Sequence, residues 1–309
     1  MAQLDQTHTN NSSVDVTVDL KELFTLLWGG RKLIIKVTSV VALCAMFYAL
    51  SLTNHYMSST ILSIMKTDES SSIEGMSGLV TFAGISISSD MNKGAMIVNT
   101  INSRSFLKKL LTYDDVLPSI MAAKSYDSES KKLIFDPDKY DAANKEWIGV
   151  KPDHIRAYGK YRKILTVEYH EVRNTIFLDA EHISPIFAQE LLTLIIREAD
   201  NNIRNMDAKR ANEGIAYLTS QLSTTALTEI RASITTLMQH QIEKKMRAGI
   251  NSNFIIHVID PPFIPVYKSK PNRSFISLVG IFFGLVIGIL WVVVRHFYAL
   301  SQIKQTSDL

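Results

Sequence analysis

The sequence has one cysteine, Cys44, in 309 residues. That excludes a disulfide framework within the chain and any cysteine-built metal site; because Cys44 lies inside a long apolar run, it says nothing about redox compartment. An excess of one charge is missing too. Between residues 54 and 272 the chain holds 26 Lys and Arg against 25 Asp and Glu, a net of +1. A near-neutral mixture of this kind lacks the electrostatic footprint of a nucleic-acid binder, so a protein or a weakly charged polymer is the expected partner. Catalytic signatures are absent as well: there is no G-x-x-x-x-G-K-[ST] loop, no H-E-x-x-H and no G-x-S-x-G. Asp136-Pro137-Asp138 has a metal-binding D-x-D spacing, but within FDPDKYD a turn is the expected structure. His154, His170 and His182 are isolated from one another. No catalytic, metal or cofactor residue is assigned, and the chain reads as non-enzymatic.

What the sequence does hold is two long apolar runs, one near each end. Val37 to Leu52 is extended backwards by Leu33 to Ile35 with only Lys36 interrupting, and Ser274 to Val294 is bounded by Arg273 and Arg295. A helix rises ~1.5 Å per residue and a hydrocarbon core is ~30 Å thick, so roughly 20 apolar residues suffice to cross. Transmembrane helices are therefore expected over residues 33–53 and 274–294. Lys21, Arg31, Lys32 and Lys36 precede the first span and only Lys66 lies close behind it, which places the N-terminus in the cytoplasm. The second span returns the C-terminus to the same side and leaves residues 54–260 outside. Lys268, Lys270 and Arg273 run against this rule locally.

Residues 1–18 are polar and read as a disordered cytoplasmic tail. Over residues 19–30 Leu20, Leu23, Phe24, Leu27 and Trp28 form one apolar stripe behind a capping-box spacing at Asp19 and Glu22, the pattern of a juxtamembrane amphipathic helix. Ser58 to Met65 reads as a strand, and Asp68 to Gly94 as a flexible segment rich in Ser, Gly and Met. Ser103 or Ser105 can cap a helix carrying Phe106, Leu107, Leu110 and Leu111. Ile164 to Tyr169 and Thr175 to Ala180 alternate with period two and predict a hairpin with one buried face. From Pro185 an apolar stripe continues to about residue 248 without an internal proline, giving one long helix of ~95 Å if unbroken. Its steps are three and four, except for a step of five between Leu222 and Leu227, where the stripe shifts or the helix bends. Ile255 to Ile259 is a last strand. Pro261, Pro262, Pro265 and Pro271 then keep residues 261–273 extended up to the second span, and residues 295–309 form a cytoplasmic tail. Gly280, Gly284 and Gly288 recur every four residues and line one face of the second span, where another helix can approach closely. These glycines and the four connector prolines are the candidate contact residues.

This layout resembles the polysaccharide co-polymerases, the Wzz-type O-antigen chain-length determinants. The resemblance rests on VDLKELFTLLW before the first span, Phe177 to Ala180 followed by Pro185-Ile186-Phe187-Ala188, Asn201-Asn202-Ile203-Arg204, and DPPFIPVYKSKPNRS from Asp260 to Ser274 running into the glycine-spaced span. It implies an α+β fold in the bacterial inner membrane: a periplasmic α/β base, a long projecting helix, and assembly into a ring or barrel. It also implies a non-enzymatic role, the control of how far a membrane glycan polymerase extends lipopolysaccharide O-antigen or a related polysaccharide. The implied partners are further copies of the chain, that polymerase, the bilayer and a lipid-linked polysaccharide. One tyrosine, Tyr298, follows the second span, so neither a fused kinase nor a tyrosine-rich phosphorylation tail is expected. The competing reading is a two-span periplasmic sensor, which would need a cytoplasmic output that these tails do not contain.

Overall fold

The computed structural model describes residues 27–64, 93–250 and 256–307. The expected N-terminal tail, most of the amphipathic helix and most of the Asp68 to Gly94 segment lie outside the described residues. In chain order the elements are α1 (Arg31–Ser51), β1 (Tyr56–Ile64), α2 (Lys93–Ile101), α3 (Arg104–Leu110), α4 (Val116–Met121), β2 (Ala123–Asp127), β3 (Lys132–Phe135), β4 (Tyr140–Asp141) and β5 (Glu146–Trp147). They continue with α5 (His154–Ile164), β6 (Leu165–His170), β7 (Thr175–His182), α6 (Pro185–Thr224), α7 (Thr228–Ile250), β8 (Ile256–Asp260) and α8 (Arg273–Ser307). The chain divides into two compact units, one made of its two ends up to Leu52 and from Pro271, the other of Thr53 to Lys270.

The terminal unit contains α1 and α8, both long and apolar enough to cross a membrane. Only 6% and 22% of their most apolar stretches are buried, so neither is the core helix of a soluble domain. Instead α1 and α8 turn large apolar side chains outward, among them Phe47, Leu278, Phe282 and Trp291. That arrangement suits lipid as solvent. The helix of the second span also runs beyond the apolar stretch, through Arg295 to Ser307, where a tail was expected.

The central unit is α+β. Its sheet has the order β6-β7-β1-β8, with every neighbouring pair antiparallel. The expected hairpin is β6 and β7: Leu165, Val167 and Tyr169 stand opposite Ala180, Leu178 and Ile176, as the period-two pattern requires. On the buried face Leu62, Ile64, Leu165, Ile176, Leu178, Ala180 and Ile256 meet Phe187, Ala188, Leu191, Leu192, Ile195, Ala199 and Ile203 of α6. The α6 residues fall at steps of one, three and four, the apolar stripe of a helix laid on a sheet. Ser184 caps α6 by accepting from the Phe187 N–H at 3.2 Å, and Pro185 occupies the first turn, where its missing N–H costs nothing. Ser103 caps α3 in the same way, accepting from the Phe106 N–H at 3.1 Å.

The helix expected over about 185–248 is two helices. α6 has 40 residues and ends at Thr224; α7 has 23 and folds back along it. Thr219 Oγ1 lies 3.6 Å from Met238 Sδ, and a Cβ on Gly214 would stand 3.4 Å from the Gln241 side chain. The reversal falls at the five-residue step noted in the sequence. There the hydroxyls of Ser223, Thr224 and Thr225 turn onto the carbonyls of Ser220 and Gln221, and Thr225 takes an extended ψ of 121°. Side chains that bond their own backbone weaken helix continuation, and three consecutive ones coincide with the end of α6. A hairpin therefore replaces the ~95 Å rod.

Candidate functional site

The glycines of the second span face α1. A Cβ on Gly280 would collide with Ala45, one on Gly284 would stand 3.0 Å from Thr38 Cα and 3.2 Å from its carbonyl oxygen, and one on Gly288 would stand 3.2 Å from Ile34 Cα. Ile34, Thr38 and Ala45, with Val41 between them, follow steps of four, three and four, so a single stripe of α1 meets the glycines backbone to backbone. Close approach of this kind gives van der Waals contact in lipid, where no hydrophobic drive brings helices together. The helix against the glycine face is thus the chain's own first span.

The connector prolines do not gather into one place. Pro261 is exposed, Pro262 half-buried and Pro265 buried in the central unit, whereas Pro271 begins the second stretch of the terminal unit. The connector is held along β1. Thr60 Oγ1 donates to the Asp260 carbonyl at 2.6 Å and Ser58 Oγ to the Phe263 carbonyl at 2.7 Å, so two hydroxyls on the apolar face of the sheet are satisfied by the strand and connector beside them. Farther on, the His55 carbonyl accepts from the Ser269 N–H at 2.8 Å, and Lys270 Nζ pairs with Glu181 Oε2 at 2.7 Å.

Three buried polar residues were not singled out as functional by the sequence. His182, at the end of β7, is packed edge-on against Phe187 with ring centroids 4.6 Å apart. Its Nδ1 accepts from the Ser184 N–H at 3.1 Å, so Nε2 carries the proton and donates to the Ser119 carbonyl at 2.9 Å. Burial, reinforced by the positive charges a protonated ring would face, pushes its pKa down to about 4. Glu198 accepts from Tyr113 Oη at 2.8 Å and pairs with Lys109 Nζ at 2.8 Å, tying α6 to α3. Burial alone would raise its pKa, but the bonds from Lys109 and Tyr113 outweigh it and hold the carboxylate below the usual range. Asp200 pairs with Arg204 at 2.6 Å and accepts from the Ile256 N–H at 3.4 Å, which fixes the start of β8.

These groups do not converge. His182 serves the junction of β7, α4 and α6, Glu198 the contact of α6 with α3, and Asp200 the entry of β8, so each is spent on structure. Among the described residues no group of three or more His, Cys, Asp or Glu could hold a metal ion. Asp136 and Asp138 sit in the expected turn, with Asp136 Oδ2 bound to Lys139 Nζ at 2.7 Å. A shallow groove along the first turns of α6 presents Asp115, Glu190 and Arg197, all exposed to water. What the described residues offer is two helices long and apolar enough to cross a membrane, an α+β unit, and a helical hairpin with apolar side chains on its outside.

Residues 16–113 match the family model described as Wzz, chain length determinant protein. No curated protein matches the chain. Among solved structures it is similar to one titled full-length bacterial polysaccharide co-polymerase, at 12% identity, over 91% of this chain and 98% of that one, with a TM-score of 0.46.

Proposed function

We infer that this chain, which carries the Wzz chain length determinant region over residues 16–113, regulates the length of a surface polysaccharide. The matched region carries the reading, because it contains the first membrane helix, β1 and the α2–α3 pair, the elements that lead from the membrane into the base. The polysaccharide is lipopolysaccharide O-antigen or a relative of it. The chain performs no reaction itself; an oligomer acts in the inner membrane as a scaffold on the polymerase, with both termini cytoplasmic and residues 54–260 in the periplasm.

Two observations support the scaffold. The far part of the α6–α7 hairpin buries little and exposes Tyr217, Leu227, Ile230, Ile242 and Met246, a set of apolar side chains suited to contact between copies. With the glycine face filled by α1, the surface for the polymerase falls to the outward sides of the two spans, where Phe47, Phe282 and Trp291 stand. The test is deletion of the gene followed by electrophoresis of the cell's lipopolysaccharide. Polymer that persists but loses its preferred length supports the reading. Complete loss of polymer points to an enzyme instead.

A further inference from the structure

Lys268, Lys270 and Arg273 place three cations within six residues at the outer end of the second span, where orientation by positive charge has no use for them. The structure shows what lies between the first of them and the base. Upstream, the Phe263 carbonyl is held by Ser58 and Pro265 is buried; downstream, Ser269 is held by the His55 carbonyl. Between these ties the connector bends at Val266–Tyr267, and the two side chains are 82% and 87% exposed. That exceeds Phe47, the most exposed large apolar side chain of the spans at 71%.

An apolar pair at the tip of a bend pinned on both sides is preordered, so little entropy is lost when it is covered. Its chemistry indicates the cover. Tyrosine favours the headgroup level of a bilayer, where its ring is half in hydrocarbon and its hydroxyl is wet. Lys270 is engaged with Glu181, but Lys268 follows Tyr267 directly and is exposed, a cation suited to lipid phosphate. Five residues lie between Tyr267 and Arg273, six steps with a reach of at most ~20 Å when extended.

We propose that the Val266–Tyr267 bend is a membrane-interface anchor. The two side chains insert among the headgroups of the bilayer that α8 crosses, and Lys268 contacts the phosphate of an anionic phospholipid. The proposal rests on the two spans lying in a bilayer and is independent of the chain-length reading.

The test uses the full chain with Cys44→Ala, carrying a nitroxide at Val266→Cys, in vesicles of phosphatidylcholine and phosphatidylglycerol. Collision with oxygen and with a water-soluble nickel chelate reports depth. References are labels at Leu285→Cys in the span and Val172→Cys at the tip of the β6–β7 hairpin. The anchor requires nickel collisions at 266 several-fold below those at 172, rising toward the value at 172 in Tyr267→Ser. Lys268→Glu should move the label toward water about fivefold, an effect absent in pure phosphatidylcholine. Equal nickel access at 266 and 172 with 285 deep in the bilayer would overturn the anchor alone. Nickel access at 285 would overturn the membrane assignment and the anchor with it. No effect of Lys268→Glu in phosphatidylglycerol would refute the lipid-phosphate contact.

Discussion

His182 gives the central unit a dependence on acid whose size follows from its surroundings. In the fold the ring is neutral, with Nδ1 receiving the Ser184 N–H and Nε2–H donated to Ser119, and burial lowers its pKa from 6.5 to about 4. The unfolded chain therefore takes up a proton near pH 6.5 that the folded chain refuses. Stability from this group is fully present above pH 6.5 and is lost as pH falls from there toward 4. A shift from 6.5 to about 4 corresponds to about 3 kcal/mol in total, of which about 2 kcal/mol is gone by pH 5. The experiment is chemical unfolding of the detergent-solubilised chain at pH 7 and pH 5, for the native sequence and for His182→Gln. Glutamine keeps a donor for Ser119 but leaves the Ser184 N–H without its acceptor, so the variant starts about 1–3 kcal/mol lower at pH 7. It should then lose about 2 kcal/mol less than the native chain on going to pH 5. Parallel losses in both proteins would refute the assignment and move the acid response to other groups.

Gly284→Leu forces a side chain against the Thr38 backbone and should cost about 1–3 kcal/mol in overpacking, read as a lowered unfolding midpoint in nanodiscs. Because the spans carry the proposed contact with the polymerase, the same change should shift glycan length while polymer is still made; an unaltered ladder would count against that placement. Glu198→Ala removes the partner of the Tyr113 hydroxyl and the Lys109 ammonium, both of which are exposed enough to turn to water, and should cost about 0.5–1.5 kcal/mol in urea unfolding. Because Lys109 is 41% exposed, the ion pair's share of that loss should fade at high salt, and what persists reports the Tyr113 hydrogen bond.

The legible parts of the fold were those with a clean period. The β6–β7 hairpin alternates strictly because only one face of its sheet is covered, so the facing of its residues followed from residue type, while the register came only with the structure. The glycines announced a packing face but not the partner, since a close approach looks the same from either helix. In α6 and α7 the step from Leu222 to Leu227 was visible, but a bend and a full reversal leave the same mark in one dimension. α5 went unseen because only Ala157 and Tyr161 are buried in its 11 residues, too few for a stripe. The short pairs β2–β3 and β4–β5 turn through Lys131 and Lys145 at positive φ, positions where Asn or Gly would have been the signal. His182 and Glu198 draw their meaning from partners 63 and 85 residues away, which no local pattern encodes.

Reconstitution tests length control without the rest of the cell. The cell's glycan polymerase, placed in proteoliposomes with lipid-linked repeat units, would be assayed for product length with and without this chain. The expected result is a broad distribution from the polymerase alone and a preferred length when the chain is present, at a similar total of repeat units joined. Identical distributions in the two preparations would contradict it.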